Sequence, residues 1–168
     1  MDWRYNTIWF EQLAKETVCN WDYNIKNIIN LQNIEYLMLW NFKFKGLSFE
    51  QIPESDKLIY LEINKSNIVD LLDIKKYNNL KRLELHYCTK LKNANGLSLL
   101  KNSLEMLNIN QSKKFEVTSE LYHLKNLKML RLNNCGVLKN LNFLEYFPNL
   151  IDFRFVNTNV ESGDLSPI

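Results

Sequence analysis

Two residues with acid–base or metal-binding chemistry, Glu84 and His86, stand two positions apart. On an extended strand, residues at i and i+2 face the same way. Glu62 lies 22 residues before Glu84, so a chain that repeats at that interval would bring the two carboxylates side by side. Such a group could hold a metal ion, or pair a base with the carboxylate that orients it. The set is thin for either task, because one imidazole and two carboxylates lack a third fixed ligand. The other histidine, His123, falls in a segment that reads as a solvated turn. Of the three thiols, Cys19, Cys88 and Cys135, Cys88 sits where the chain should leave the strand. It would turn away from His86, so a Cys–His nucleophilic pair is not expected. There is no phosphate-cradling glycine loop, no H-E-x-x-H and no serine elbow. The reading is of a protein that is not an enzyme, with no catalytic residue, no metal and no cofactor.

The elements that would position these residues come from self-comparison. The block Leu80-Lys81-Arg82-Leu83-Glu84-Leu85-His86-Tyr87-Cys88 has the pattern L-x-x-L-x-L-x-x-C. It recurs with starts at 34, 58, 80, 104, 127 and 150, spaced by 24, 22, 24, 23 and 23 residues. Between blocks the apolar residues are three apart, as in Ile68, Leu71, Ile74, Tyr77 and Leu80, or Leu138, Leu141, Leu144, Phe147 and Leu150. A period of three matches 3₁₀ turns, in which i and i+3 eclipse, and not the 3.6 of a long α-helix. Each coil cannot bury its own apolar side and must stack on its neighbours. The expected fold is an α/β solenoid: one parallel strand per coil on the concave face, short 3₁₀ or helical turns on the convex face. Position nine of the block (Ser66, Cys88, Ser112, Cys135, Thr158) turns the chain out of the strand, so both cysteines there are expected to be inert core residues.

This pattern resembles the short, roughly 22-residue class of leucine-rich repeats found in bacterial internalins and in a phosphatase regulatory subunit, over about residues 25–168. Asn67-Ile68-Val69-Asp70-Leu71 is similar to the internalin N-x-I-x-D-I segment, and Gly163-Asp164-Leu165-Ser166-Pro167-Ile168 to its D-I-S-P-L segment. Internalins are secreted and wall-linked, whereas no signal or anchor is legible here. In size and style the chain also resembles small cytoplasmic bacterial repeat proteins, some of them immunity proteins against secreted toxins. The resemblance implies a protein partner, and in the immunity case a toxin.

Composition agrees with a single repeat domain. The 168 residues are 46% hydrophobic and 24% charged, with only 4 Gly and 3 Pro to make a linker. A net charge of +2 excludes nucleic acid and a polybasic membrane contact as expected partners. Three cysteines are an odd number without zinc spacing, which points to a reducing compartment. With no secretory signal and no apolar run of the ~18–20 residues that span a bilayer, a cytoplasmic protein is expected.

The chain divides into residues 1–33, an N-terminal helical cap with a degenerate repeat, and residues 34–168, six repeats of which the last is incomplete. The cap should be a helix over residues 7–15, started by Asn6 or Thr7, followed by a strand near residues 17–20. Its aromatic residues (Trp3, Tyr5, Trp9, Phe10, Trp21, Tyr23) would cover the first coil. At the other end the next strand would begin near position 173, beyond Ile168. Pairing with a second copy, a longer chain, or coverage by frayed residues are the three ways to close that end.

Positions three, five, seven and eight of each block should face outward. Column three holds Tyr36, Tyr60, Arg82, Met106, Met129 and Asp152. Column five holds Met38, Glu62, Glu84, Asn108, Arg131 and Arg154, and column seven Trp40, Asn64, His86, Asn110, Asn133 and Val156. Two carboxylates at the ~4.8 Å strand spacing repel by roughly 1 kcal/mol in bulk water and about 3 at an effective dielectric of 20. Stability alone would not place Glu62 beside Glu84, although Arg82 relieves part of the repulsion. The expected partner site is Tyr36, Met38, Trp40, Tyr60, Glu62, Arg82, Glu84, His86, Asn108, Asn110, Arg131 and Arg154. It would offer apolar anchors at the first coils, a centre for basic residues and a far end for acidic ones.

Overall fold

The strand-forming blocks fall into the register that their spacing requires. The computed structural model describes residues 8–22, 31–44 and 49–168. Its seven strands are β1 (Val18–Asp22), β2 (Tyr36–Trp40), β3 (Tyr60–Asn64), β4 (Arg82–His86), β5 (Met106–Asn110), β6 (Met129–Asn133) and β7 (Asp152–Val156). They form one sheet in sequence order, every neighbouring pair parallel. Tyr36, Tyr60, Arg82, Met106, Met129 and Asp152 are in line across it.

Opposite the strands run 3₁₀ turns: Phe49–Gln51, Leu72–Lys76, Leu97–Leu100, Ser119–His123 and Asn142–Tyr146. The three-residue period is the reason, since Ile68, Leu71, Ile74, Tyr77 and Leu80 are all fully buried and only a threefold turn points such a series one way. The core lies between strands and turns and continues from coil to coil. This is the α/β solenoid expected from the repeat, with the short 3₁₀ turns that the three-residue period predicts on its convex face.

Polar groups lock the coils to one another. Asn79, Asn126 and Asn149 each donate their side-chain amide to a backbone carbonyl 23–24 residues earlier, satisfying acceptors that the turns leave open. Cys135 Sγ and Thr158 Oγ1 reach the carbonyls of Ile109 and Leu132 on the preceding coil at 3.3 and 3.0 Å. Burial pushes the Cys88 and Cys135 thiols up to about 12, so both are the inert core groups expected. Position eight is left-handed in every coil from β2 onward: Asn41, Lys65, Tyr87, Gln111, Asn134 and Asn157 have φ of 49–57°. That turn lifts the chain off the sheet while its N–H still bonds the next strand, as in Tyr87 N–H to Asn110 O at 2.9 Å. Gly96, at φ 99°, touches the previous coil so closely that a Cβ would lie 2.2 Å from the Leu71 carbonyl oxygen.

The N-terminal segment departs from expectation. In place of a helix over residues 7–15, the described part holds two three-residue 3₁₀ turns, Phe10–Gln12 and Lys15–Thr17, leading into β1. Neither turn is capped by a side chain, and the apolar residues Ile8, Phe10 and Leu13 all turn towards the sheet, a spacing no α-helix face would give. The expectations on Trp3, Tyr5, Asn6, Thr7 and Tyr23 lie outside the described residues.

Candidate concave binding face

Facing outward on the sheet and being exposed are different properties here. Leu37 and Leu39 join the main core, while their strand neighbours Tyr36 and Met38 join a second apolar cluster with Tyr60 and Ile8. Side chains alternate along a strand, so this second cluster lies on the opposite, concave side of the sheet. Phe10 packs edge-on against Tyr36 and Tyr60, with ring centroids 6.3 and 5.6 Å apart. The N-terminal segment therefore covers the outer face of β2 and β3, where a partner had been expected to find Tyr36, Met38 and Tyr60. All three are buried. The physical reason is that three bulky apolar groups on one face would otherwise stand in water, and the chain's own apolar segment is the nearest cover. Trp40, at 37% exposure, stays open.

A hydrogen-bonded row crosses β3, β4 and β5. Arg82 Nε–H donates to Glu84 Oε1 at 2.7 Å, and its guanidinium lies 5.4 Å from the centroid of the Tyr60 ring. Glu84 Oε2 accepts from Asn108 Nδ2 at 2.9 Å and from His86 Nε2 at 3.2 Å. With Nε2 donating, His86 Nδ1 is free to accept from Asn110 Nδ2 at 3.3 Å. Burial by itself would raise the Glu84 carboxyl. The His86 hydrogen bond, the Arg82 charge and the Asn108 amide outweigh it and hold the group at about 2. Glu84 is thus a buried anion whose charge is spent inside the fold, not a free carboxylate for a basic partner. Arg82 and Asn108 are buried with it.

Glu62 is different. Tyr60 Oη–H donates to its Oε2 at 2.5 Å and Asn64 Nδ2 to its Oε1 at 2.6 Å. The same Tyr60 hydroxyl, held between carboxylates in a buried site, has its pKa pushed far above the ordinary phenol range, first by desolvation and then by Glu84 and Glu62. Glu62 is only half-buried and meets no cation among the described residues. At the far end Asp152 sits between two guanidinium groups, Arg154 Nε at 2.8 Å and Arg131 Nη2 at 3.6 Å. Arg131 is half-buried and Arg154 exposed.

The expected site residues therefore divide three ways. Tyr36, Met38 and Tyr60 are covered by the N-terminal segment. Arg82, Glu84, His86, Asn108 and Asn110 form one pre-ordered polar row. Trp40, Glu62, Arg131 and Arg154 remain available at the flanks. Asn64, Asn133, Asp152 and Asp22 belong to the same surface, as their places in columns three and seven, and in register with Trp40, could have indicated. Among the described residues no group of three or more His, Cys, Asp or Glu is arranged to hold a metal ion, and no helix is long and apolar enough to cross a membrane.

Seven in-register parallel strands backed by 3₁₀ turns define a leucine-rich-repeat solenoid. No family model matches the chain and no curated protein matches it either. Among solved structures it is similar to an internalin (inlF) from Listeria monocytogenes str. 4b F2365, with a TM-score of 0.62 at 20% identity. The likeness covers 82% of this chain and 45% of that internalin, so the chain spans less than half the length of the protein it matches. At that identity the likeness shows the fold.

Proposed function

We propose that the chain is a protein-binding module that holds a partner against its concave sheet, and that it works in the cytoplasm as a bacterial inhibitor or immunity protein, with a toxin as the partner. The observation that carries the reading is Trp40. It is an indole left open on a sheet face beside a polar row whose side chains are already oriented by one another. Exposed tryptophan next to pre-ordered polar groups is the composition of an interface centre, because little side-chain entropy remains to be lost on docking. The repeat fold supports the reading, since solenoids of this kind offer a long curved surface. The resemblance to small bacterial repeat proteins supports the inhibitor role, and three unpaired cysteines suit a reducing compartment.

The test is retention of a host protein by the wild-type chain and by a Trp40→Ala/Glu62→Lys variant of unchanged melting temperature. Glu62 is the charge to reverse, because Glu84 is tied into the buried row. A protein held only by the wild type, whose activity falls when the chain is added, supports the reading. Equal retention by both proteins refutes it.

A second reading, self-association through β7, is favoured by one observation. Among the described residues the far edge of β7 has no neighbour in the sheet, and Ile151 before the strand and Val156 at its end are both 56% exposed. An open apolar edge is a template for pairing. Light scattering at high micromolar concentration distinguishes them: a mass of one chain removes this second reading.

A further inference from the structure

Charge on the concave sheet is neutralised within the fold at its centre and left over at its flanks. Resting on the concave-face reading above, we propose that the docking segment of the partner is a bipolar helix. One arginine or lysine lies over Trp40 between Asp22 and Glu62, and one aspartate or glutamate lies against Arg131 and Arg154.

At the first flank, Asp22, Trp40 and Asn64 are in register on β1, β2 and β3, and Glu62 lies beside Asn64, held by its amide. The open indole therefore has Asp22 beside it on one strand and Glu62 diagonally across on the other, two residues before Asn64. Among the described residues Asp22 accepts only the Asn41 amide, at 3.0 Å, and neither carboxylate has a cation. A cation placed there meets the indole face and two negative groups together, which is a strong attraction once water is excluded.

At the second flank, two guanidinium groups share the single carboxylate of Asp152. One carboxylate leaves a net positive charge there, and with Arg154 exposed and Arg131 half-buried an incoming carboxylate would balance it.

Between the flanks the Arg82 and Glu84 pair cancels, so the surface carries a negative end and a positive end. A uniform polyanion such as nucleic acid would satisfy one end and be repelled at the other. The inner strands have already used their backbone hydrogen bonds in the sheet, so an extended segment gains nothing from them, whereas a helix brings its own satisfied backbone. From the β2–β3 flank to the β6–β7 flank is four strand steps, about 19 Å at ~4.8 Å per step. At 1.5 Å per residue that is about 13 residues of helix. Residues 11 or 14 apart share a helix face, and they give the predicted spacing of the two charges.

The experiment uses the full chain as bait against a displayed library of single helices with randomised charged positions. The expected result is about ten-fold enrichment of an Arg/Lys with an Asp/Glu 11 or 14 residues away. An Asp22→Asn/Glu62→Gln bait should lose the basic member and keep the acidic one. An Arg131→Gln/Arg154→Gln bait should do the reverse. All baits are first matched for circular dichroism and melting temperature. The proposal is overturned by winners that lack the pair, by the same winners from all three baits, or by no binder at all. If the host protein is still lost from the Trp40→Ala/Glu62→Lys variant, only the bipolar spacing falls. If that variant retains it, the concave-face reading falls as well.

Discussion

Arg82 donates to Glu84 from two residues earlier on the same strand, Nε to Oε1 at 2.7 Å, so the central charge of the concave face is neutralised along β4 and not across the sheet. Both side chains are about nine-tenths shielded. Removing one partner leaves the other charge buried without compensation, which costs about 3–5 kcal/mol. Arg82→Ala should lower stability by about 3 kcal/mol, read as a shift in the urea midpoint with an unchanged slope.

Glu84, held ionised by the His86 hydrogen bond, the Arg82 charge and the Asn108 amide, also sets a pH dependence. Glu84 has a folded-state carboxyl at about 2 against an ordinary value of 4.5. Between those values the unfolded chain binds the extra proton, so stability rises with pH. The contribution is complete above about pH 5 and is lost as pH falls towards 2, in total roughly 3 kcal/mol. Urea unfolding from pH 7 to pH 2 should show a steeper loss for wild type than for Glu84→Gln. Parallel curves would contradict the assignment.

Tyr87 sits in the left-handed turn at φ 55°, where Asn41, Asn134 and Asn157 occupy the same place in other coils. A tyrosine there bears a steric cost of roughly 1 kcal/mol that asparagine largely avoids. Tyr87 is 48% exposed, so little packing is lost on replacement. Tyr87→Asn should therefore raise the melting temperature, by an amount corresponding to about 1 kcal/mol.

Gly96→Ala should do the opposite and more strongly. The added Cβ would meet the Leu71 carbonyl at 2.2 Å, at a φ that L-residues rarely adopt. Two coils would have to separate, at about 3 kcal/mol or more. Calorimetry measures it directly.

The thiols provide a probe of native burial. The Cys88 and Cys135 thiols are held up to about 12, while Cys19 is only half-buried. Titration with a thiol reagent at pH 8 should find at most one reactive group in the folded protein and three after unfolding. Two or three reactive groups in the native state would show that the position-nine ladder opens.

Much of this protein was legible in the residue order alone. Leucines at positions one, four and six of a block repeated every 22–24 residues specify strand, turn and stacking together, because no single coil can bury them. The column alignment, Tyr36 beside Tyr60 beside Arg82, follows from that spacing, since a slip of one residue would turn every leucine into water. The inert position-nine cysteines and the 3₁₀ period were readable for the same reason. Tertiary structure alone decided which outward residues stay open. Phe10 reaches Tyr60 from fifty positions away in the chain, and no local spacing records that contact. Glu62 and Glu84 look equivalent in their column, yet only Glu84 has Arg82 at its carboxylate and Asn108 on its other side. Periodicity reports the direction of a side chain, because direction is set by backbone geometry. Burial and charge compensation are set by whatever else arrives on that face, and that depends on the whole fold.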